Sequence, residues 1–567
     1  MSRNYLWCCV LTLLLASSTQ AEVAVWPAPA ESKIEKLDPR INVASRIWTP
    51  GENTIRLSGA GGEHVYFQIV ISCDSDTLRE VTLNWSGLAG PKSSIGKVNI
   101  TAYLAALVKV YAPSTEAGRA GWYPDPLAPL SGAVDIRPDR WESHKNQTFW
   151  VEIAIPRETP GGRYEGEIFV SSGRGQLASY RLNLTVRGFS LPEAPHLFSL
   201  FNCSKGWMAA YYDSTRLAGR SLDDILVQYF DFMLDRGIQP WINPLLQPQY
   251  SEKDGRLALT WPNEKWEKHF LTRPAYQRVT FPAEPRGLER MEEGEPLSPV
   301  MEQKVRDWVG GICEHYSRNG WLDKLSFFGP VDEPNTLAEY QELIRWGELV
   351  RSVNKQVSYQ VTEQPLPEEK GWPSLGQVAD DWVVHGSALE GNRAELTRLI
   401  GLGQHACWYI SCDQTYPMAN YFIDAHGAEP RAVAWITYSY GLQGILYWAV
   451  NFWPEVRSPW RDPVTWKRSE CNAPLAGEGS LLYPGEEIRA YCRLNDVSGP
   501  VSSIRFEQLR KGLQDVEYLY LLESKGHKEE ARKLCGELVS SAELFSRDPA
   551  RYEEIKEEAA KMIESSR

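Results

Sequence analysis

The stretch KLSFFGPVDEPN, residues 324–335, predicts a strand that ends in a loop just before a helix. The apolar run from Leu325 to Phe328 is typical of a short buried strand, and Gly329-Pro330 is consistent with its hydrogen-bonded ladder ending there. The helical pattern that follows places four apolar residues on its inner face: Tyr340, Leu343, Ile344 and Val350. Repeated strand–loop–helix units of this kind predict an α/β fold built on a parallel sheet.

The same alternation of short apolar runs and amphipathic stretches extends over residues 197–470. Further strands are predicted at residues 197–202, 238–243, 357–362, 381–385, 406–411 and 444–449. A polar, proline-rich segment at residues 244–298 has no assignable pattern, and insertions of this kind are common among substrate-side loops. Not all eight strands are visible, but the number of repeats favours a (β/α)8 barrel of the TIM type over an open sheet.

The chain on either side of the predicted barrel has a different pattern. Residues 22–188 are a succession of β-branched and aromatic runs without a long helical period, which predicts an all-β sandwich. Residues 471–567 predict a loop followed by a helical C-terminal extension that packs on the barrel. Arg505, Glu507 and Arg510 in that extension are expected to form ion pairs that dock it.

The N-terminus and the overall charge indicate where the protein acts. Residues 1–21 have the charge, short apolar run and small-residue end of a signal peptide, so we expect a secreted or periplasmic protein. No apolar stretch reaches the length of a membrane span. The formal net charge of −13 disfavours nucleic-acid and anionic-membrane partners. A neutral substrate fits this charge better. The pattern does not indicate an oligomeric state.

Cysteines are too sparse for a disulfide scaffold, with ten in 567 residues. An exported protein could still form one or two bridges, and Cys471 with Cys492 is a plausible pair. His405, Cys407 and Cys412 do not match a zinc-binding spacing, so we expect no metal and no cofactor.

Asp332 and Glu333 have two possible roles. They follow a strand, where barrel enzymes keep their catalytic groups, and 22 tryptophans in the chain supply the aromatic faces that sugar-binding sites use. Alternatively, the two acids and Pro334 only open the next helix, because acids favour the positive end of its dipole. The pattern alone does not decide between the two roles.

If the pair is catalytic, its adjacency constrains the mechanism. Two carboxyls that face each other across a glycosidic bond lie about 5–5.5 Å apart in retaining enzymes and about 6.5–9.5 Å apart in inverting ones. Neighbouring residues flank a bond poorly. They suit substrate assistance better, in which Glu333 protonates the leaving oxygen and Asp332 orients an acetamido group of the sugar.

Several separated motifs carry a resemblance to a known family. They are FFGPVDEPN at 327–335, GILYWAVNFW at 444–453, GEGSLLYPG at 477–485, SIRFEQLRKGLQDVEYL at 503–519 and YPDPL at 123–127. Together they resemble glycoside hydrolase family 123 and the related domain-of-unknown-function 4091 proteins. The resemblance implies an exo-acting β-N-acetylgalactosaminidase with a β-sandwich before a (β/α)8 barrel. It also implies that the adjacent acid pair of the family falls on Asp332 and Glu333.

Other candidate residues lie at the ends of the predicted strands, where side chains can reach a substrate. Trp448, Asn451 and Trp453 follow the last strand and could form an apolar wall and bind a hydroxyl. His385 could bind a hydroxyl, and a tyrosine in the group Tyr409, Asp413 and Tyr416 could hold the acetamide carbonyl. Asn202, Asn243 and Glu363 are weaker candidates of the same positional kind.

Two alternatives to substrate assistance remain open at this stage. A conventional retaining glycosidase would use Glu333 as acid/base and a separate carboxylate as nucleophile. Asp413 is the candidate nucleophile, because it is the only acid immediately after the predicted strand at residues 406–411. A non-catalytic carbohydrate-binding protein would use the tryptophans to bind glycan, while the acid pair would be structural.

Overall fold

The computed structural model describes residues 23–38, 43–73, 77–137, 145–285, 297–367, 369, 371–467, 471 and 473–566. The predicted signal peptide lies outside these ranges. Among the helices within them, none combines the length and apolar character that crossing a membrane requires.

The N-terminal region is rich in β-structure. Its described residues form the strands β1 (Val23–Pro29), β2 (Thr54–Gly61), β3 (His64–Cys73), β4 (Leu78–Trp85), β5 (Leu88–Ala89), β6 (Ser94–Ile95), β7 (Ile100–Val110), β8 (Gly121–Pro129), β9 (Val134–Ile136), β10 (Asn146–Ala154), β11 (Gly162–Ser172) and β12 (Gly175–Ser190). One sheet has the order β1-β3-β10-β7-β8, and the other contains β2-β12-β11-β4-β9. Phe67 and Ile69 of the first sheet share an apolar core with Leu182 and Leu184 of the second. Alternation along each strand places these residues on its inner face.

The next part of the chain is built on a parallel sheet. Its strands and the intervening hairpin are β13 (Phe198–Phe201), β14 (Gln249–Lys253), β15 (Arg256–Thr260), β16 (Val279–Pro282), β17 (Leu325–Phe328), β18 (Ser358–Val361), β19 (Asp381–His385), β20 (His405–Ile410) and β21 (Gly444–Tyr447). The sheet order in the described residues is β13-β21-β20-β19-β18-β17-β16, so β16 to β21 are adjacent in chain order and β13 pairs with β21, the last of them. Because the paired strands of this sheet are parallel, their carboxyl ends lie at one edge.

Helices connect the strands of the parallel sheet. They are α1 (Lys205–Tyr211), α2 (Ser214–Leu217), α3 (Leu222–Leu234), α4 (Glu264–Leu271), α5 (Pro299–Arg318), α6 (Leu337–Val353), α7 (Leu389–Gly401) and α8 (Glu429–Ser439). Ser221 caps α3 by accepting from the Asp224 N–H, and the Asp224 side chain accepts in return from the Ser221 N–H. The apolar residues of α3 pack inward, as their helical spacing predicts.

The segment at residues 244–298, which has no assignable sequence pattern, contains the strand β16 of the parallel sheet. Within it lie the hairpin β14–β15, the helix α4 and the strand β16. Before this segment, the backbone at residues 239–241 pairs with Phe201, through bonds of 3.2 and 3.0 Å. The Gln239 side chain donates to the Arg278 carbonyl at 2.8 Å and accepts from the Gln277 N–H at 2.7 Å. The Gln239 side chain therefore links the parallel bridge between Phe201 and residues 239–241 to the residues just before β16.

The C-terminal part contains two short strands and four helices in the described residues: β22 (Tyr483–Pro484), α9 (Ile488–Cys492), β23 (Pro500–Val501), α10 (Ile504–Ser524), α11 (Lys528–Gly536) and α12 (Pro549–Ser565). Helix α10 packs against α8, α11 and α12. It is buried on nearly all sides, whereas the sequence predicts one apolar face. Its buried charged side chains therefore need ionic partners.

The ion pairs of α10 reach the β-rich region as well as the α/β part of the chain. Arg505 makes a bidentate pair with Asp125 of β8, at 2.9 Å for both bonds, and Asp125 belongs to the YPDPL motif. Arg510 donates to Glu152 of β10 at 3.1 Å. Glu507, the third charged residue predicted to dock the extension, accepts at 2.7 Å from Arg236, which follows the end of α3. The arginines thus join α10 to the β-rich region, while Arg505 also donates to the carbonyl groups of Tyr421, Gly477 and Ser480.

Candidate active site

The acid pair lies in the loop between β17 and α6. Helix α6 begins at Leu337, and its cap is Thr336, whose hydroxyl accepts from the Glu339 N–H. Asp332 and Glu333 are exposed and precede this cap, so they are outside the first turn of the helix. The alternative in which the pair only opens the helix is therefore wrong.

The loop holds Glu333 in an unusual backbone conformation. Its φ is +49°, in the left-handed region that non-glycine residues seldom adopt. The Asn335 side chain donates to the Glu333 carbonyl at 2.5 Å, and its N–H donates to Glu339 at 2.7 Å. These bonds secure the turn that directs Glu333 into a pocket. Such strain in a defined turn is common at functional sites.

Tyr409 of β20 reaches Glu333 across the sheet edge, and its hydroxyl donates to Glu333 Oε1. Burial raises the pKa of Tyr409, and the hydrogen bond to Glu333 and the negative charge of Asp332 raise it further. The phenol therefore stays protonated and remains a donor. Since the bond uses Oε1, Oε2 of Glu333 remains for a substrate.

An open pocket of about 740 Å³ lies at the carboxyl edge of the parallel sheet. Its polar and aromatic lining includes Glu333, Glu363, His385, Tyr409, Asp413, Trp448 and Trp466. A volume in the range of roughly 300–1,000 Å³ is typical of small-ligand sites. The pocket thus brings together four predicted binding residues, His385, Tyr409, Asp413 and Trp448, with Glu333.

His385 and Asp413 form a polar network on one wall of the pocket. His385 Nδ1 lies 2.6 Å from the Ser387 hydroxyl, and Nε2 lies 3.2 Å from Asp413 Oδ1. Burial opposes ionisation of Asp413, but the Ser411 hydroxyl and the charge of His385 outweigh it, so the pKa of Asp413 lies below its usual value. The carboxylate is therefore ionised near neutral pH.

A buried carboxyl positions Trp448. The indole N–H of Trp448 donates to Glu478 Oε1, and the Tyr447 hydroxyl donates to Glu478 Oε2 at 3.2 Å. Burial raises the pKa of Glu478 to about 7. Glu478 belongs to the GEGSLLYPG motif at 477–485, and this motif is the sequence feature that could have indicated it as a site residue. Its position relative to the predicted strands does not indicate such a role.

Three predicted binding residues do not reach this pocket. Asn451 is fully buried, and its amide bonds the backbone of Ser204 at 3.0 and 3.1 Å. Trp453 is also fully buried and donates to the Ser480 hydroxyl at 3.1 Å. Tyr416 is 41% exposed, but it lies beside Arg547 and lines another cavity. The prediction that these three residues bind the substrate is therefore wrong, because two are core side chains and the third is a ring outside the pocket lining.

The structure adds residues to the site and corrects the cysteine pairing. Glu363, a weaker candidate, lines the pocket, whereas Asn243 caps a short turn by accepting from the Leu245 N–H.

Cys471 is bonded to Cys412, and Cys492 is a free thiol, so the Cys471–Cys492 pairing is wrong. Among the described residues, no cluster of three or more histidine, cysteine, aspartate or glutamate side chains could hold a metal ion.

Comparison with known families identifies the class of protein. Residues 226–522 match the family described as "Glycoside hydrolase 123, catalytic domain", and residues 45–172 match "Glycoside hydrolase 123 N-terminal domain". The protein is therefore an enzyme that hydrolyses glycosidic bonds, and the non-catalytic alternative is set aside. The chain belongs to glycoside hydrolase family 123.

One solved structure supports the fold over nearly all of the chain. A family 123 glycoside hydrolase from Clostridium perfringens, described for glycolipid glycan hydrolysis, is 15% identical with a TM-score of 0.69. The match covers 96% of this chain and 98% of that one. A family 39 enzyme from Bacteroides cellulosilyticus is 9% identical over 82% of each chain, but its TM-score of 0.35 is too low to indicate a shared fold. A search of curated proteins found no match.

Proposed function

We propose that this enzyme removes terminal β-linked 2-acetamido sugars, with N-acetylgalactosamine as the preferred sugar, by substrate-assisted retaining hydrolysis. The observation that carries the proposal is the adjacent pair Asp332 and Glu333 in a loop before the helix cap, with Tyr409 donating to Glu333 at the pocket. Adjacent carboxyls act on the same side of a sugar more readily than across its glycosidic bond. The nucleophile is then supplied by the substrate.

The proposed reaction has two steps. In the first, Glu333 gives its proton to the leaving oxygen while the acetamide carbonyl oxygen attacks C1, forming a cyclic oxazolinium and releasing the aglycone. Asp332 orients the acetamide and balances its developing positive charge. In the second, Glu333 accepts a proton from water, which attacks C1 and reopens the ring. The product keeps the β configuration because C1 is inverted twice.

We also propose that the parallel sheet closes as a (β/α)8 barrel of the TIM type. The short bridge at residues 239–241 would supply the second of eight strands, between β13 and β16. Its pairing with Phe201 and the Gln239 side-chain bonds to residues 277 and 278 support this closure. The pocket would then lie at the carboxyl end of the barrel, where barrel enzymes keep their active sites.

The natural substrate we propose is a glycan or glycoconjugate outside the cytoplasm. The glycolipid glycan named for the Clostridium perfringens relative supports this class of substrate. The signal-peptide pattern at residues 1–21 supports export to the periplasm or the medium. A neutral glycan is also compatible with the net charge of −13.

A conventional retaining mechanism is the second candidate. Two further carboxyls, Asp413 and Glu363, line the pocket with Glu333, and Asp413 has a lowered pKa. An ionised Asp413 could attack C1 directly. It is already engaged by Ser411 and His385, which weakens it as a nucleophile.

The choice of substrate separates the two mechanisms. We expect turnover of 4-nitrophenyl β-N-acetylgalactosaminide to exceed that of the plain β-galactoside by at least about a hundredfold, because only the first carries the internal nucleophile. Release of 4-nitrophenol measures both rates, and the gluco-configured pair serves as a control for sugar preference. Equal rates on the acetamido and plain substrates would contradict substrate assistance.

Tyr409→Phe tests the hydrogen bond to the proposed acid. We expect kcat/KM to fall about 10- to 100-fold, because a hydrogen bond to a charged group contributes roughly 1.5–3 kcal/mol. Tyr438→Phe is a matched control, since the Tyr438 hydroxyl donates to Glu523 at 2.6 Å and not to a pocket residue. Equal losses in the two variants would show that the Tyr409 effect is one of folding.

A further inference from the structure

An aromatic patch continues from the pocket along the sheet edge. It consists of Trp207 on α1, Trp448 and Phe452 after β21, and Trp466. The ring centroids of Trp448 and Trp466 are 4.8 Å apart, and those of Trp207 and Phe452 are 5.1 Å apart. Trp207 also lies 5.8 Å from Trp448, so the four rings form one connected surface.

The patch differs from the aromatic core beneath it. All four rings are half-buried, whereas Trp453 and Trp460 nearby are fully buried. Trp448 and Trp466 line the pocket, and the other two rings extend the surface beyond it. A partly exposed aromatic surface that starts at an active site is a place for a ligand and not only for packing.

The protein holds the patch in a fixed arrangement. Glu478 anchors the Trp448 indole, and the Thr465 hydroxyl, next to Trp466, donates to the Glu478 carbonyl at 3.0 Å. The Phe452 N–H donates to the Gly479 carbonyl at 2.9 Å. Gly479 has a φ of +66°, and a Cβ there would lie 2.5 Å from Cζ2 of Trp448, so the backbone packs directly under the indole.

The Cys412–Cys471 disulfide adds a second anchor. Cys412 lies between Ser411 and Asp413 on the pocket wall, and both bonded cysteines line the pocket. Trp466 packs against the apolar cluster that contains Cys412. A surface fixed in this way loses little conformational entropy when a ligand binds.

We propose that the aromatic patch is a second sugar subsite, which binds the pyranose ring adjoining the one that is cleaved. The inference rests on the proposed function, because it places the aglycone beside the acetamido-sugar site. The C–H face of a pyranose is apolar and packs on aromatic rings, as amphipathic ligands do. The pocket volume of about 740 Å³ leaves room for more than one sugar ring.

Two substrates isolate the contribution of this subsite. N-acetyl-β-galactosaminyl fluoride has a single atom as its leaving group and so no ring to place on the patch. The disaccharide N-acetyl-β-galactosaminyl-(1→4)-galactose has a second pyranose. We expect Trp207→Ala to lower kcat/KM on the disaccharide about tenfold, mainly through KM, and to change the fluoride rate less than about twofold, because Trp207 does not line the pocket.

Variants on other elements serve as controls. Phe452→Ala, after β21, should likewise lower only the disaccharide rate, and Trp207→Phe should recover most of the Trp207→Ala loss because it keeps a ring. Trp85→Ala removes a half-buried indole in the β-rich region and should affect neither substrate. Thermal unfolding of each variant shows that it is folded.

The outcomes separate this inference from the proposed function. Equal losses on both substrates, or no loss on the disaccharide in either Trp207→Ala or Phe452→Ala, would overturn the second subsite while leaving the hydrolase assignment intact. A wild-type enzyme that cleaves neither substrate would overturn the proposed function and this inference with it.

Discussion

Glu333→Gln is expected to lower kcat on substrates with poor leaving groups by about 10²–10⁴-fold, the usual contribution of a general acid. The amide cannot release a proton to the glycosidic oxygen, so an alkoxide would have to leave unprotonated. The substitution keeps the size of the side chain, and the amide oxygen can still accept from Tyr409. Rates on the disaccharide and on an activated dinitrophenyl glycoside measure the effect.

The dependence on the leaving group is the decisive part of this prediction. A dinitrophenolate leaves without protonation, so the first step of Glu333→Gln should be nearly restored on that substrate. Glu348→Gln, at an exposed position on α6, is a control for loss of one carboxylate and should be nearly silent. A loss of less than tenfold on the disaccharide, about 1.4 kcal/mol, would contradict the assignment of Glu333.

Local pattern predicts much of the parallel sheet. The strand β17 and the helix α6 follow directly from an apolar run, a Gly-Pro break and a helical period around Leu343. The strand β16 is not visible, because only its four residues, Val279–Pro282, belong to the sheet and a hairpin and a helix separate it from the preceding bridge. Its place depends on contacts such as those of Gln239, which sequence alone does not show.

The site residues were most readily predictable at and just after the strand ends. His385, Tyr409 and Trp448 each lie in a strand or directly after it, and all three line the pocket. Past the end of β21 the backbone is irregular, so alternation no longer tells which side chain faces the pocket. The predicted substrate contacts of Asn451 and Trp453 are wrong for this reason, since both side chains are buried.

The remaining site residues come from a returning segment. Trp466 and Glu478 lie 18 and 30 residues beyond Trp448, respectively, and fold back against it. Neither position belongs to a strand of the parallel sheet. A contact between residues so far apart in an irregular segment depends on tertiary packing, including the Cys412–Cys471 bond, and has no local sequence signal.

Asp332→Asn should impair cleavage even with a good leaving group, by about a hundredfold or more. In the proposed first step the acetamide nitrogen becomes positively charged as its carbonyl oxygen attacks C1. A carboxylate at position 332 accepts from the N–H and balances this charge, whereas a neutral amide oxygen can only accept the hydrogen bond, and removing one such stabilising group costs about 10²–10³-fold. The activated dinitrophenyl substrate isolates this step, because it needs no acid.

The contrast between the two variants tests the division of roles within the pair. Glu333→Gln should lose activity mainly on the disaccharide, whereas Asp332→Asn should lose it on both substrates. A stable thiazoline analogue of the cyclised sugar should also bind Asp332→Asn more weakly than the wild type, since it carries the same ring that the carboxylate contacts. If Asp332→Asn stayed within tenfold of the wild type on the activated substrate, about 1.4 kcal/mol, a nucleophile on the protein such as Asp413 would replace the acetamide in the mechanism.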